Sequence, residues 1–104
     1  MTTVLDRVRT AARTRVLYLP HAVKQMALPE RLISAAEVED VVLHGEILED
    51  YPEDVRGHSC LLMGIPRGSP VHVVCSPRAD YLAIITAYLP DLSKWSPDFR
   101  RRID

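Results

Sequence analysis

The chain has 104 residues, 47% of them hydrophobic and 26% charged, and its 13 basic and 14 acidic side chains leave a formal net charge of −1. This length and apolar content suit one compact domain, and the near-zero net charge excludes a protein that holds nucleic acid through a strong overall positive field. Two cysteines are too few for a disulfide scaffold, and the sequence shows neither a signal peptide nor a membrane span. We therefore expect a single domain (residues 1–104) of a reduced, cytoplasmic protein without a membrane partner.

The N-terminal part of the chain predicts two helices. In residues 3–15, apolar side chains recur at helical spacing while arginines occupy the rest of the surface. A short extended link follows, and Pro20 suits the first turn of a second helix over residues 21–28. Residues 1–19 are therefore expected to form an N-terminal helix and a link that precede the core of the domain.

A third helix is predicted by the signals at its two ends. Ser34 and Glu37 form a capping box, in which the serine hydroxyl accepts from a free amide of the first turn while the glutamate reaches back. Gly45 is well placed to stop the helix after about Leu43.

After Gly45 the period of the apolar residues changes from about 3.6 to 2, which predicts β-strands. The turns between them are too short for parallel crossovers. We therefore predict an α+β fold in which the N-terminal helices pack on a four-stranded antiparallel meander. The expected strands are residues 46–51, 58–65, 71–76 and 81–89.

The C-terminal part of the chain combines Trp95 with a basic tail, residues 96–104, that contains Arg100, Arg101 and Arg102. We expect Trp95 to lie across a sheet edge and a last helical turn to carry the arginines. Such a run of arginines is ordinarily a solvated surface.

Strand alternation predicts which polar side chains share a face. With Tyr51 opposite His58, it brings Glu49, Tyr51, His58 and Tyr88 towards one surface, although a slip of one residue would reverse part of this partition. Polar groups among half-buried strands are either hydrogen-bonded core residues or members of a site. The opposite face is expected to carry a more apolar set: Ser59, Leu61, Met63, His72, Val74, Tyr81, Ala83 and Ile85.

Two cysteines and three histidines permit both structural and functional interpretations. Cys60 is expected opposite Cys75. We favour two reduced cysteines that pack as small apolar side chains in the core over a redox pair or a metal site that includes His58. For His72 we favour a neutral, hydrogen-bonded imidazole in the core. His58 is expected at the start of a strand, at the rim of the sheet after a charged turn. A catalytic role and an ordinary surface position explain it equally well. For His21, hydrogen bonding between helix and sheet is favoured over catalysis.

Several motifs follow one another along the chain: His21-Ala-x-x-Gln-Met26, Ile33-Ser34, Gly45-Glu-Ile-Leu-Glu-Asp-Tyr-Pro52, Arg56-Gly-His-Ser-Cys60, His72-Val-Val74, Ile85-Thr-Ala-Tyr-x-Pro90 and Trp95. Their order resembles a bacterial and archaeal family of unknown function that is regarded as a distant relative of the RelE and BrnT toxins. The resemblance extends from His21 to Trp95, so residues 20–95 are expected to form the family core. It implies a RelE-like fold.

The resemblance also implies a toxin that cleaves messenger RNA without a metal or other cofactor, binds RNA or the ribosome, and is silenced by a cognate antitoxin protein. In such chemistry a base activates the ribose hydroxyl, cations hold the phosphate and an acid protonates the leaving oxygen. We expect His58 or Glu49 as the base and Tyr88 or His58 as the acid. The expected substrate-binding residues are Arg56, Tyr51 and Lys94, and RNA affinity would rest on Arg56, Lys94 and the terminal arginines.

Two other classes of function remain open. The first is a non-catalytic interaction module, whose histidines and tyrosines brace the sheet and whose exposed apolar face forms a homodimer. The second is a small metal- or redox-responsive protein that uses Cys60 and Cys75. Charge placement separates the first from a toxin, because a toxin needs its few cations close to His58 whereas a module has no such need.

Overall fold

The computed structural model describes residues 2–103; Met1 and Asp104, the outer ends of the predicted N-terminal segment and basic tail, lie outside the described residues. None of the helices in this described part is long and apolar enough to cross a membrane. The predicted α+β class is confirmed. The elements are α1 (Val4–Thr14), β1 (Val16–Tyr18), α2 (Pro20–Met26), α3 (Ala35–His44), β2 (Glu46–Tyr51), β3 (Ser59–Gly64), β4 (Val71–Pro77) and β5 (Leu82–Tyr88).

The sheet has five strands in the order β1-β5-β4-β3-β2. Strands β2 to β5 form the antiparallel meander that the short turns predicted. The predicted count of four was wrong, because the extended link before α2 is itself a strand, β1, which pairs in parallel with β5. Its three residues are too few to show a strand period, and its partner lies 66 residues further along the chain, since Val16 pairs with Leu82.

Helix ends follow the signals in the sequence. The Ser34 hydroxyl accepts from the Glu37 amide (3.1 Å) and the Glu37 carboxylate accepts from the Ser34 amide (2.8 Å), so the predicted capping box is present. Gly45 ends α3 as predicted. A side chain there would not fit, because a Cβ on Gly45 would lie 2.5 Å from the backbone oxygens of Val41 and Met63. Gly45 is thus the single residue that connects α3 to β2, at a point where the neighbouring backbone leaves no room for a side chain.

The hydrophobic core lies between the helices and one face of the sheet. Helix α1 packs against β4, β5 and α3, and α2 packs against β5. Cys60 and Cys75 are paired across β3 and β4, as predicted, and both are buried in this core. The other core side chains are Val8, Ala11, Ala22, Met26, Ile33, Val38, Val41, Val42, Leu62, Val71, Val73, Leu82, Ile84 and Ala87.

The segment after β5 lies against the second face of the sheet. Trp95 is buried and packs edge-on against His72, with 4.5 Å between ring centroids. Instead of the predicted helical turn, the chain forms a bridge between Trp95 and Arg102. Arg100 pairs with Glu46, and Arg102 pairs with Glu49 at 2.9 Å, so carboxylates on β2 hold the tail on the sheet. The expected edge position of Trp95 was therefore wrong.

Two β-bulges change which residues share a face. Leu48 is an extra residue in β2, and Ile85 is an extra residue in β5. Each bulge reverses the side-chain alternation of the residues beyond it. Ile47 and Ile84 keep the predicted face, whereas Glu49, Tyr51, Thr86 and Tyr88 lie on the opposite face, together with His72. The pairs that flank the bulges are Ile47–Leu62, Glu49–Leu61, Cys75–Ile84 and Val74–Thr86.

Candidate functional site

The bulges separate His58 from its expected catalytic partners. Glu49, Tyr51 and Tyr88 remain close to one another, but on the face that carries the tail. His58 stays on the helix side of the sheet, where it contacts Arg7 of α1. The expectation that Glu49, His58 and Tyr88 share one surface was therefore wrong.

The His58 ring is held between a guanidinium and a carboxylate. Arg7 Nη1 lies 2.9 Å from His58 Nδ1, and His58 Nε2 lies 2.5 Å from Asp50 Oδ1. Because a guanidinium can only donate, Nδ1 accepts from Arg7, and Nε2 carries the proton that is donated to Asp50. Both nitrogens are thus engaged within the protein, which leaves neither available to accept a substrate proton.

Arg56 also does not join the expected set. Its guanidinium forms two hydrogen bonds to the Asp54 carboxylate, at 3.1 and 3.0 Å, within the exposed turn before β3. The same Asp54 carboxylate accepts from the Ser59 hydroxyl at 2.6 Å. These contacts lower the pKa of Asp54, the Arg56 hydrogen bond most. The charge of Arg56 is therefore largely compensated inside its own turn.

On the tail side of the sheet, the buried His72 and the partly buried Tyr88 form a hydrogen-bonded pair. His72 Nε2 donates to the Phe99 carbonyl at 2.9 Å, so Nδ1 is the acceptor for the Tyr88 hydroxyl at 3.2 Å. Burial lowers the pKa of His72 to about 4, against the opposing hydrogen bond to Phe99, and burial raises the pKa of Tyr88 to about 12. The predicted neutral, hydrogen-bonded state of His72 is therefore supported by its contacts.

Glu49 belongs to the same cluster as an ion-pair partner. Burial acts to raise its pKa, but hydrogen bonds from Arg102 and Tyr51 outweigh burial and lower it. Glu49 is thus a carboxylate whose lone pairs are engaged by Arg102 and Tyr51. This arrangement braces the tail and places neither Glu49 nor Tyr51 among the residues that line the neighbouring cleft.

An open cleft of about 580 Å³ lies beside Tyr88, between α2, the end of β5 and the tail. Strand β1 pairs only with residues 82–84 of β5, so the remainder of that edge is bordered by α2. The volume is typical of clefts that bind small molecules or segments of a larger substrate. Its lining residues are His21, Gln25, Arg31, Val74, Thr86, Tyr88, Leu89, Asp91, Lys94, Trp95 and Arg102.

The cleft carries an excess of positive charge. The Arg31 guanidinium donates to Gln25 Oε1 at 2.7 Å and to the Ala87 carbonyl at 3.4 Å, and both acceptors are neutral. Arg31 is therefore fixed in position without loss of its charge. Lys94 belongs to the same turn as Asp91, whose pKa it helps to lower, and Arg102 is compensated by Glu49. The arrangement favours an anionic group over a cationic or neutral one.

Of the six residues singled out from the sequence, Tyr88 and Lys94 line this cleft. Sequence reasoning missed His21 and Arg31 as its members. The signal for His21 was present, since it belongs to the same set of motifs as Thr86 and Tyr88, but nothing local showed that α2 would lie beside the end of β5. Arg31 follows Pro29 in a turn and carries no sequence pattern of its own.

Cys60 and Cys75 have the surroundings of core residues. Both are fully buried. The hydrogen bond between the two thiols and their burial raise the pKa of Cys75 well above its ordinary value, so it stays a protonated, unreactive thiol. Within residues 2–103, no three His, Cys, Asp or Glu side chains lie close enough to share a metal ion.

Comparison with curated proteins and with solved structures gave no significant match. Residues 18–89, by contrast, match the protein family described as Domain of unknown function (DUF4258). The matched part contains α2, α3 and the antiparallel meander, and with them His21, Arg31 and Tyr88 of the cleft. Because the match covers more than half of the chain, the protein belongs to the DUF4258 family.

Proposed function

We propose that the protein is a RelE-like toxin, related to RelE and BrnT, that cleaves messenger RNA without a metal in the cleft beside Tyr88 and is silenced by a cognate antitoxin protein. One observation carries the proposal. An imidazole (His21), two cations (Arg31 and Lys94) and a phenol (Tyr88) come from separate segments of the chain and line one open cleft. These are the groups that metal-independent RNA cleavage requires.

The chemistry assigns a role to each group. The His21 imidazole takes the proton of a ribose 2′-hydroxyl, whose oxygen attacks the adjacent phosphorus and displaces the 5′-oxygen of the next nucleotide. Arg31 and Lys94 stabilise the charge that develops on the phosphate oxygens. The departing 5′-oxygen receives the proton of Tyr88, and the products are a 2′,3′-cyclic phosphate and a free 5′-hydroxyl.

The geometry around Tyr88 sets a condition on this mechanism. In the free protein the Tyr88 hydroxyl donates its proton to His72 Nδ1, so its lone pairs are the part available to a ligand in the cleft. The hydroxyl must rotate about its C–O bond before it can act as the acid. A pKa raised by burial to about 12 keeps the phenol protonated until a strongly basic alkoxide leaves.

The proposal is tested with purified protein, a capped messenger RNA and EDTA. We expect cleavage that leaves 2′,3′-cyclic ends. His21→Ala should lower the cleavage rate by about 100- to 10,000-fold, the range for loss of a general base. Lys94→Ala should lower it by about 10-fold or more through loss of charge stabilisation. In growing cells, the intact chain should arrest translation and the His21→Ala variant should not.

A matched histidine substitution is the control. His58→Gln removes the imidazole that was first expected to be the base, and its contacts to Arg7 and Asp50 predict a change in stability with little change in cleavage. If the intact protein leaves RNA uncut, or if His58→Gln abolishes cleavage while His21→Ala does not, the proposal is wrong.

A second candidate is a non-catalytic interaction module that forms a homodimer. It is favoured by the number of polar groups that serve the fold: His58 bridges two side chains, His72 is sealed beneath Trp95, and Glu49 holds the tail. Light scattering at several concentrations tests it. A dimer without growth arrest or RNA cleavage would favour the module, and a monomer would exclude the homodimer.

A further inference from the structure

A second cavity, of about 350 Å³, lies between α1 and the turn that joins β4 to β5. It is distinct from the cleft beside Tyr88, since that turn precedes β5 whereas Tyr88 ends it. Two guanidinium groups and three threonines line the cavity, and none of its lining residues is acidic. They are Thr2, Arg7, Thr10, Ala11, Thr14, Pro77, Arg78 and Ala79.

Arg78 is held in place by neutral acceptors alone. Its Nε donates to the Ser76 hydroxyl oxygen at 3.1 Å, and its Nη2 donates to the Arg56 carbonyl at 2.9 Å. These bonds fix the plane of the guanidinium but do not compensate its charge. Three of the five N–H groups of Arg78 have no acceptor among residues 2–103, so they remain available to an anion.

Arg7 is positioned in a similar way. Its one side-chain hydrogen bond among the described residues is to His58, whose ring separates it from the Asp50 carboxylate. The acid next to it in the sequence, Asp6, accepts from the Thr3 amide at 3.2 Å in the capping box of α1. The nearby carboxylates are therefore directed at other partners, and Arg7 keeps four N–H donors for a ligand.

We propose that this cavity, lined by Arg7 and Arg78, binds a phosphate group. A phosphate accepts more hydrogen bonds than a carboxylate and is bound in a bidentate way by the planar fork of arginine. The hydroxyls of Thr2 and Thr10 supply further donors around it, whereas the Thr14 hydroxyl donates to the Thr10 carbonyl at 3.4 Å. The phosphate comes either from free phosphate or from the backbone of an RNA. This inference stands on its own observations and does not require cleavage in the cleft beside Tyr88.

The test is an NMR titration of the whole chain, which locates the bound ligand as well as detecting it. The protein receives inorganic phosphate in one series and a tetranucleotide without terminal phosphates in another, with chloride at equal ionic strength as the blank. We expect saturable shifts of the backbone amides of Thr10 and Ala79. Shifts with phosphate alone identify free phosphate as the ligand, and shifts with the tetranucleotide identify the RNA backbone.

Charge-matched variants assign the binding to the two arginines. Arg7→Gln and Arg78→Gln should each weaken binding by about 10-fold or more, the effect of losing a charge-assisted contact. Arg78→Lys keeps the positive charge but loses the planar guanidinium, so its affinity for the ligand should lie between that of the glutamine variants and that of the intact chain. Arg13→Gln removes the same charge from α1 outside the cavity and should change binding by less than about 2-fold. No saturable shift with either ligand, or binding that survives both glutamine substitutions, overturns the proposal.

Discussion

His58 and His72 show how the partners of a histidine decide its role. His58, which lies between Gly57 and Ser59 in the sequence, is partly exposed and contacts Arg7 and Asp50. His72, which lies between Val71 and Val73, is buried against Tyr88, Trp95 and a backbone carbonyl. The assignment of His72 to the core could be made from its apolar neighbours alone. The partners of His58 could not, because Arg7 lies 51 residues away in the chain.

The buried His72 predicts a pH dependence of stability. Its pKa is about 4 in the folded protein against an ordinary value of 6.5, so between these values the unfolded chain binds a proton that the folded chain does not. The free energy of unfolding should therefore be fully retained above pH 6.5 and fall as the pH drops towards 4. The loss should be on the order of 2 kcal/mol. Urea unfolding at pH 7.5 and 4.5 measures it.

The His72→Gln variant isolates this effect. Glutamine does not titrate, whereas carboxylates with lowered pKa values, such as Glu37 at about 2, contribute equally in both proteins. The intact chain should thus lose more stability than the variant over the same pH interval. Equal losses would show that His72 does not resist protonation in the folded state.

The β-bulges at Leu48 and Ile85 explain why the sequence predicted the strands better than the site. Strand β2 was predicted with its observed ends, and the opposition of Cys60 and Cys75 was correct, because apolar alternation and turn residues report both. A bulge adds one residue without a turn signal, and neither Leu48 nor Ile85 differs in type from an ordinary strand residue. Each bulge therefore moved a side chain of the predicted site, Glu49 in β2 and Tyr88 in β5, to the other face without a signal in the sequence.

The tail acts as a cover for the polar face of the sheet. Trp95 packs on His72, Phe99 supplies the carbonyl that His72 needs, and Arg102 lies 4.7 Å from the centre of the Trp95 ring. The composition of the tail gave no indication of this role, since its arginines suggested a solvated surface. The carboxylate partners of Arg100 and Arg102 are on β2, about 50 residues earlier in the chain, and only the folded sheet brings them together.

Removal of the Trp95 side chain should therefore release the tail from the sheet as well as leave a cavity. Trp95→Ala is expected to lower the free energy of unfolding by about 3–5 kcal/mol, the usual cost of truncating a buried aromatic residue. It should also raise the pKa of His72 towards its ordinary value, because water would reach the ring. Leu92→Ala, in the same segment but 60% exposed, is the control and should cost little. Similar losses for both variants would contradict the covering role.

Over the whole molecule, a near-zero net charge limits how the protein would bind RNA in the proposed function. Composition excluded a broad basic surface, and the structure adds that Arg56, Arg67, Arg100 and Arg102 are compensated by carboxylates. The other nine lysines and arginines form no ion pair among residues 2–103, but of these nine only Arg31 and Lys94 line the cleft beside Tyr88. Such a distribution supports binding through individual phosphate contacts, in which shape and chemistry select the ligand more than long-range attraction does.

This distribution predicts a weak dependence of RNA affinity on salt. Arg31 and Lys94 can contact about two phosphates in the cleft, so log K should fall with log salt with a slope of about −1.4 for a single strand. Fluorescence anisotropy of a labelled tetranucleotide on the His21→Ala variant, from about 50 to 400 mM salt, gives the slope. Lys94→Gln in the same background should halve it, because one contact is lost. A slope steeper than about −2.8 would require more than twice as many contacts as the two that Arg31 and Lys94 provide and would contradict this prediction.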